Sequence, residues 1–308
     1  MATIDRIAQG NIKRYFRAKK KLNTPGLVSH ITQRSTGRSP MFIEDDDYLC
    51  LIGLLKEIAE KYDLKIFAFC AMPNHIHLLL APREPNLYDA MRDLFSRYVA
   101  KFNRKFERKG HLVGSPYRQA ICFDDSYLLT ASLYIHLNPV KAGLSDSVVD
   151  YRWSSSKLYC LDDAPESFVD PFFILRLLSS SIPAAKERYR LLLKNGGGLE
   201  TEHVLEQEDA ISRFRSRLSE TFPKLFNRLG EKNRTSEYSG LDLLSQESLE
   251  NRIEDLRHGR LPGRPESRKA RKFLVEQLIA RGYKRSEIAA HLGVSRKTVY
   301  NWLNSNFP

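Results

Sequence analysis

The sequence lacks the features of membrane proteins and of disulfide-bonded secreted proteins. No apolar run approaches the roughly 20 residues of a transmembrane helix, and the N-terminus has no apolar core of a signal peptide. The four cysteines, Cys50, Cys70, Cys122 and Cys160, lie far apart with no C-x-x-C pair, which argues against a zinc knuckle or a disulfide framework. These absences predict a cytoplasmic protein with reduced thiols and no membrane partner.

Acidic residues are also fewer than basic ones. The 308 residues contain 37 Asp and Glu against 49 Lys and Arg, which gives a formal net charge of +12. This excess predicts a polyanionic partner, although charge alone does not distinguish DNA from RNA or from an acidic membrane surface. The length is sufficient for one sizeable domain and a smaller one.

Two histidines stand one residue apart in residues 71–80, an apolar stretch typical of a buried strand. Side chains of a strand alternate between its faces, so His75 and His77 share one face and the residues between them pack on the other. Residues 65–70 are also rich in strand-forming residues, and Pro73-Asn74 between the two runs is typical of a turn. We therefore predict a hairpin with the histidine pair just after its turn.

The histidine pair has two interpretations. A single histidine on an apolar strand is usually a hydrogen-bonded structural residue. Two neutral imidazoles that point to one place, however, cost roughly 1–3 kcal/mol for each polar nitrogen left unpaired. A divalent cation would pair both of them. The spacing leaves both interpretations open.

The order of predicted elements around this hairpin indicates the fold class. A strand at 27–32, a helix at 45–60, the hairpin, a helix at 86–108 and a strand within 110–124 follow one another. This order predicts an α+β, ferredoxin-like antiparallel sheet with helices on one face.

The next predicted helix begins near Asp124, a good N-cap residue. Tyr127, Tyr134 and Asn138 fall on one of its faces, which would place a phenol and an amide oxygen beside a metal if that face looked toward the histidines. Pro139 opposes this prediction, because a residue that precedes proline leaves the α region readily. Tyrosines at helix–sheet contacts are usually core residues, so the pattern alone does not name a nucleophile.

Several motifs, in a fixed order within residues 27–160, strongly resemble those of the HUH-type single-tyrosine transposases. The likeness is greatest to the branch associated with repetitive extragenic palindromes (REP). The motifs are 72–80 (MPNHIHLLL), 110–112 (GHL), 127–129 (YLL), 133–144 (LYIHLNPVKAGL) and 150–156 (DYRWSSS).

The resemblance implies a DNA endonuclease and strand transferase that acts on single-stranded or hairpin DNA, as a monomer or a homodimer. It implies that His75 and His77 bind Mg²⁺ or Mn²⁺, with Asn138 as an additional oxygen ligand. Tyr134 matches the residue that attacks the scissile phosphate and forms a 5′-phosphotyrosine. Tyr127 is the competing nucleophile, and His136, on a different helix face, is interpreted as structural.

The chain also departs from the family pattern. The family's first strand often reads Tyr-His-Val-Thr-x-Arg-Gly, whereas residues 29–35 read SHITQRS; Pro116-Tyr117-Arg118 replaces a common Arg-Tyr or Arg-Phe pair. Both changes affect loops that we expect to contact DNA, so the DNA sequence recognised stays open. The residues predicted to bind DNA in this domain are Arg34, Arg38, Arg97, Lys101, Arg104 and Arg118; for those at 97–104, a solvated helix face is the alternative.

Three segments lie outside residues 27–160, and only the C-terminal one has a pattern that predicts a function. Residues 1–26 form a basic N-terminal arm, and residues 161–262 form a helical extension and linker with a break at 195–198 and no assigned chemistry. Residues 263–308 have the pattern of a helix-turn-helix, with helices at 268–281, 285–292 and 295–303 and a turn at Gly293-Val294.

In this module the third helix would face the major groove of duplex DNA. Ser295 would cap it, and the residues predicted to contact DNA are Arg296, Lys297, Thr298 and Asn301. A generic three-helix protein-binding module is the alternative.

Two other functions remain open. A catalytically retired HUH domain could act with the helix-turn-helix as a DNA-binding regulator, although retention of His75, His77, Tyr134 and Asn138 argues against it. A metal phosphodiesterase acting on RNA or a nucleotide would form no covalent intermediate. Trapping a phosphotyrosine distinguishes the transposase from both.

Overall fold

Four antiparallel strands form the centre of the larger of two structural units. The computed structural model describes residues 21–37, 39–114, 116–122, 124–197, 210–230, 246–259, 264–280, 283 and 285–304. These residues divide into one unit within residues 17–241 and another within residues 242–308. Residues 1–20 of the predicted basic arm, and Arg38, lie outside the described residues.

The sheet has the connectivity predicted from the sequence. Its order is β2-β3-β1-β4, and every neighbouring pair is antiparallel. With one helix between β1 and β2 and another between β3 and β4, this arrangement confirms the ferredoxin-like prediction. The strands are β1 (Ser29–Arg34), β2 (Leu64–Met72), β3 (His75–Pro82) and β4 (Arg118–Ile121).

One face of the sheet packs against two long amphipathic helices, α1 (Asp45–Lys61) and α2 (Leu87–Lys105). The strands contribute alternate residues to this layer, among them Ile76 and Leu78 of β3. At the end of α2, the Lys105 ammonium lies 2.8 Å from the Asp47 carboxylate of α1, which joins the two helices. These are the helices that the predicted fold placed on one face.

The opposite face carries a third helix, α3 (Asp125–Lys141), so the prediction of helices on one face only was incomplete. Every residue from Asp125 to Pro139 is buried. The sheet covers one side of α3 and later helices cover the other, so the helix is enclosed on all sides. The helix continues through Pro139 to Lys141, so Asn138 keeps its helical position.

The predicted extension supplies most of the layer outside α3. This layer begins with α4 (Ser156–Cys160), just before the predicted extension, and continues within it as α5 (Phe172–Leu175), α6 (Ile182–Gly197), α7 (Ala210–Thr221) and α8 (Pro223–Gly230). The break predicted at residues 195–198 was wrong for Asn195 to Gly197, where α6 continues. A Cβ on Gly196 would lie 2.9 Å from Phe214 and 3.0 Å from Leu137, so glycine permits close packing there rather than ending the helix.

The smaller unit contains α9 (Gln246–Arg257), α10 (Arg264–Ala280), α11 (Arg285–Leu292) and α12 (Arg296–Asn304). Gly293, with φ at +65°, makes the turn between α11 and α12, and Ser295 Oγ accepts a hydrogen bond from the Thr298 backbone N–H at 3.0 Å, as an N-cap does. The Arg257 guanidinium of α9 donates to the His291 carbonyl. The unit therefore begins N-terminal to the predicted boundary at residue 263.

Within the described part of the chain, none of the helices combines the length and apolar character that crossing a bilayer requires.

Candidate active site

The histidine pair lies on the face of β3 that is covered by α3. Strand alternation directs both side chains to this face, and both are buried. Their ring centroids lie 4.8 Å apart with the ring planes perpendicular. The predicted hairpin and the shared face of His75 and His77 are confirmed.

The proton on His75 is located by its neighbour in the hairpin turn. Nδ1 of His75 lies 2.6 Å from Asn74 Oδ1. An amide oxygen only accepts hydrogen bonds, so His75 carries its proton on Nδ1 and its basic nitrogen is Nε2. Metal-binding histidines commonly have this tautomer, held by a hydrogen bond at the other nitrogen.

His77 has a different partner, a third histidine on the neighbouring strand. Nε2 of His30 lies 2.9 Å from Nδ1 of His77, and the two rings stack at 5.1 Å. Thr32 Oγ1 lies 3.2 Å from the same nitrogen. Within the described residues, Nδ1 of His30 has no hydrogen-bond partner although it is buried.

The Tyr134 ring of α3 stands against these imidazoles. Its centroid is 5.8 Å from that of His77, with the planes at 89°, and 6.2 Å from that of His30. One turn further along α3, Asn138 Nδ2 donates to the Tyr134 carbonyl at 2.8 Å, which leaves Oδ1 as the atom able to bind a cation. Tyr127 is buried seven residues earlier, about 10 Å along the helix.

Burial favours the neutral form of two of the site histidines, His77 and His30. Removal from water lowers the pKa of His77 well below its usual value, and the nearby His75, His30 and Arg34 lower it further. Burial also lowers the pKa of His30 to about 4. Only neutral imidazole offers a lone pair to a metal, so the site is suited to ligation.

The donor set fits a divalent cation that takes part of its coordination from elsewhere. Two neutral imidazoles and an amide oxygen are acceptable ligands for Mn²⁺ and, with further oxygens, for Mg²⁺. Among the described residues, no group of three or more His, Cys, Asp or Glu side chains is placed to hold a metal. Water or substrate oxygens would therefore complete the coordination sphere.

The sequence of this sheet and of α3 matches a known family. Residues 23–138 match the family model described as "Transposase IS200 like". The match confirms the resemblance identified from the motifs, and this segment is called the transposase domain below.

Two known proteins are similar to the chain. A "Putative REP-associated tyrosine transposase" of Haemophilus influenzae is 30% identical over 111 residues, which cover 32% of this chain and 63% of that protein's length. A solved structure described as a REP-associated tyrosine transposase bound to a REP hairpin is 16% identical, with a TM-score of 0.40, and the match covers 50% of this chain and 93% of that one.

Strand register brings two of the predicted DNA-binding arginines to the histidine face of the transposase domain. Arg34 of β1 pairs with His75 of β3, and Arg118 of β4 pairs with Thr32, which in turn pairs with His77. Directly paired residues of antiparallel strands project to the same face. Arg34 therefore lies beside His75, and Arg118 lies on the same face, with Thr32 between it and His77.

The basic residues predicted on α2 lie on the other side of the sheet. Arg97, Lys101 and Arg104 belong to the helix layer that faces away from the histidines. The Arg97 guanidinium is 2.6 Å from the Glu57 carboxylate of α1. The structure does not bring these three residues to the candidate active site.

His136 has an arrangement unlike that of the other three histidines. Its Nδ1 lies 2.8 Å from the Tyr189 hydroxyl and its Nε2 lies 2.8 Å from Ser155 Oγ, so both ring nitrogens are paired. Ser155 Oγ also accepts from the Phe69 backbone N–H of β2. The network links α3 to α6 and to the sheet, in agreement with the structural interpretation of His136.

In the smaller unit, residues 266–306 match a family model described as "Homeodomain-like domain". Arg296, Lys297 and Asn301 of α12 are exposed, whereas Thr298 is half-buried and its hydroxyl lies 2.9 Å from Ser295 Oγ. Three of the four predicted DNA-contacting side chains are therefore accessible on one short helix.

Sequence analysis missed two features of the site. His30 was noted only as part of a motif, and the enclosure of α3 was not predicted. The register of β1 against β3 is the signal that places His30 near His77, and it depends on pairing between strands separated by more than 40 residues.

Proposed function

We propose that the transposase domain cleaves and rejoins single-stranded or hairpin DNA, with Tyr134 as the nucleophile and a divalent cation held by His75, His77 and Asn138. The observation that carries this proposal is the contact between the Tyr134 ring and the His77 ring, at 5.8 Å. It places a phenol beside two neutral imidazoles on the same face of the sheet.

The reaction is a phosphoryl transfer. The Tyr134 phenol loses its proton and its oxygen bonds to the scissile phosphorus, while the bond from phosphorus to the 3′ oxygen breaks. That oxygen takes up a proton and leaves as a 3′-hydroxyl, and the other end of the cut remains a 5′-phosphotyrosine. Because the ester conserves the bond energy, attack by a 3′-hydroxyl reseals the strand or joins it to another. Bound Mg²⁺ or Mn²⁺ would supply Lewis-acid stabilisation of a phosphate oxygen.

Arg34 and Arg118 support this reaction because they lie on the same face of the sheet as the imidazoles. A guanidinium forms charge-assisted hydrogen bonds to phosphate oxygens, so the two side chains would hold the DNA backbone at the site. The name of the Haemophilus influenzae relative, "Putative REP-associated tyrosine transposase", agrees with a tyrosine-dependent reaction on DNA.

The test is capture of a covalent protein–DNA adduct on single-stranded and hairpin oligonucleotides with Mg²⁺ or Mn²⁺. We expect the adduct in the wild type and in Tyr127→Phe, and its complete loss in Tyr134→Phe. Survival in Tyr134→Phe together with loss in Tyr127→Phe would reassign the nucleophile.

The same assay separates the alternatives. Cleavage by the wild type without an adduct would indicate a phosphodiesterase. Binding of DNA without cleavage would indicate a retired HUH domain that acts as a regulator.

The homeodomain-like unit provides a second DNA-binding function, contact with duplex DNA. The observation that favours it is the exposure of Arg296, Lys297 and Asn301 on α12, beyond the Gly293 turn. In the full chain, Arg296→Ala with Lys297→Ala should weaken duplex binding and make it less dependent on salt, with a slope reduced by about 1 for each lost phosphate contact. Adduct formation on short single strands should be unchanged. Unaltered duplex affinity at every salt concentration would exclude α12 as a DNA reader.

A further inference from the structure

We propose that His30 is a positioning residue that accepts the Nδ1 proton of His77 and so presents Nε2 of His77 to a divalent cation. The inference rests on the proposed function, in which His75 and His77 bind the cation. His30 is a buried residue of β1, and its ring contacts both His77, a proposed metal ligand, and Tyr134, the proposed nucleophile.

The first argument is that Nδ1 of His77 already takes part in a hydrogen bond within the protein. Nε2 of His30 is 2.9 Å away, and the stacked rings are held by strands β1 and β3. A nitrogen in such a hydrogen bond has no lone pair for a metal. A cation at His77 must therefore use Nε2, and Nε2 must then be unprotonated.

The second argument follows from the number of protons. A neutral imidazole carries one proton, so His77 with an unprotonated Nε2 has its proton on Nδ1. The 2.9 Å hydrogen bond then runs from Nδ1 of His77 to Nε2 of His30. The opposite direction would place the proton of His77 on Nε2 and prevent ligation.

The third argument is the parallel with His75. Nδ1 of His75 faces Asn74 Oδ1 at 2.6 Å, and an amide oxygen can only accept. His75 and His77 then have the same tautomer. In each, Nδ1 donates its proton to an acceptor, and the unprotonated Nε2 is available to the cation. Asn74 performs this role for His75, and His30 performs it for His77.

The arrangement leaves one polar atom of His30 unpaired. Its Nδ1 is buried and has no partner among the described residues, in contrast to His136, where both nitrogens are hydrogen-bonded. A histidine with a purely structural role would be replaceable by an apolar residue that leaves no orphaned atom. The hydrogen bond to His77 is therefore what the His30 ring contributes to the site.

The test reads the proton position in the metal-free, full-length chain labelled with ¹⁵N-histidine. Long-range ¹H–¹⁵N spectra at pH 7, assigned with a His77→Asn variant, should show the wild-type His77 proton on Nδ1. His30→Gln supplies an amide oxygen and should preserve this tautomer. His30→Leu should lose it, while Thr32→Val controls for the nearby hydroxyl.

Mn²⁺ affinity, measured by electron paramagnetic resonance, is the second readout. His30→Leu should weaken binding by about 10- to 100-fold, with His30→Gln and Thr32→Val close to the wild type. If His30→Leu does not fold, the inference is tested by the His77 tautomer of the wild type and by the tautomer and Mn²⁺ affinity of His30→Gln.

Three results would overturn the inference: a wild-type His77 protonated on Nε2, unchanged Mn²⁺ affinity in folded His30→Leu, or a loss in Thr32→Val as large as in His30→Leu. Neither readout uses DNA. A wild type that keeps the Nδ1 proton on His77 but forms no covalent adduct would therefore contradict only the proposed cleavage function.

Discussion

The two faces of the four-stranded sheet are built from the same strands but have different chemistry. One face meets α1 and α2 through an apolar layer that includes Ile76 and Leu78, and its polar contacts, such as Arg97 with Glu57, lie outside this layer. The other face also packs against α3 through apolar residues such as Leu79, and in addition it carries three histidines beside the Tyr134 ring of α3. Strand alternation thus directs His75 and His77 to one face and Ile76 and Leu78 to the other.

The largest effect is expected from replacing His75, a proposed metal ligand on the α3 face of the sheet. His75→Ala deletes one imidazole of the candidate cation site, and we expect Mn²⁺ affinity and the rate of adduct formation to fall by about 100-fold or more. The free energy of unfolding should change by about 1 kcal/mol or less, because His75 lies at the end of β3 beside the turn. Titration calorimetry, adduct assays and urea unfolding measure the three quantities. Full Mn²⁺ affinity in His75→Ala would exclude this residue as a ligand.

Replacing Leu78, the residue after His77, should instead lower stability and leave cation binding unchanged. Leu78 is completely buried on the apolar face, so Leu78→Ala removes packing and leaves a cavity. The free energy of unfolding should fall by about 2–5 kcal/mol, measured by urea denaturation. Mn²⁺ affinity of the folded protein is the control and should equal that of the wild type. A weakened cation site in a fully folded Leu78→Ala would show that the two faces are not independent.

The smallest effect is expected from the basic residues on α2. Arg97→Gln removes an exposed ion pair with Glu57, so stability should change by about 1 kcal/mol or less, and adduct formation should remain near the wild-type rate. Arg34→Gln is the matched change on the histidine face and should slow adduct formation by roughly tenfold, as loss of a charge-assisted hydrogen bond does. Equal losses in both variants would place DNA on both sides of the sheet.

Local patterns were sufficient for much of the site. The hairpin, the shared face of His75 and His77 and the Ser295 cap all follow from neighbouring residues, because alternation and capping operate within a few positions. The helical position of Asn138 was less certain, since Pro139 favours a break. Packing around α3 outweighs that preference.

Local sequence patterns did not predict the contacts between residues that are far apart in the chain. The interpretation of residues 195–197 as a break failed because the glycines could equally serve close packing against Phe214. The division of basic residues between the two sheet faces also depends on strand register and helix placement. Arg34 and Arg97 look alike in the sequence, yet only Arg34 lies beside the imidazoles.

The sequence by itself determined the β2–β3 hairpin, the orientation of the histidine pair and the family motifs around Tyr134, because each depends on residue order over short distances. Only the tertiary structure decided which groups meet: the Tyr134 ring against His77, the hydrogen bond between His77 and His30, and the enclosure of α3 between the sheet and the later helices. The physical reason is that these contacts join residues far apart in the chain. They form only when burial of both faces of the sheet fixes every element in place.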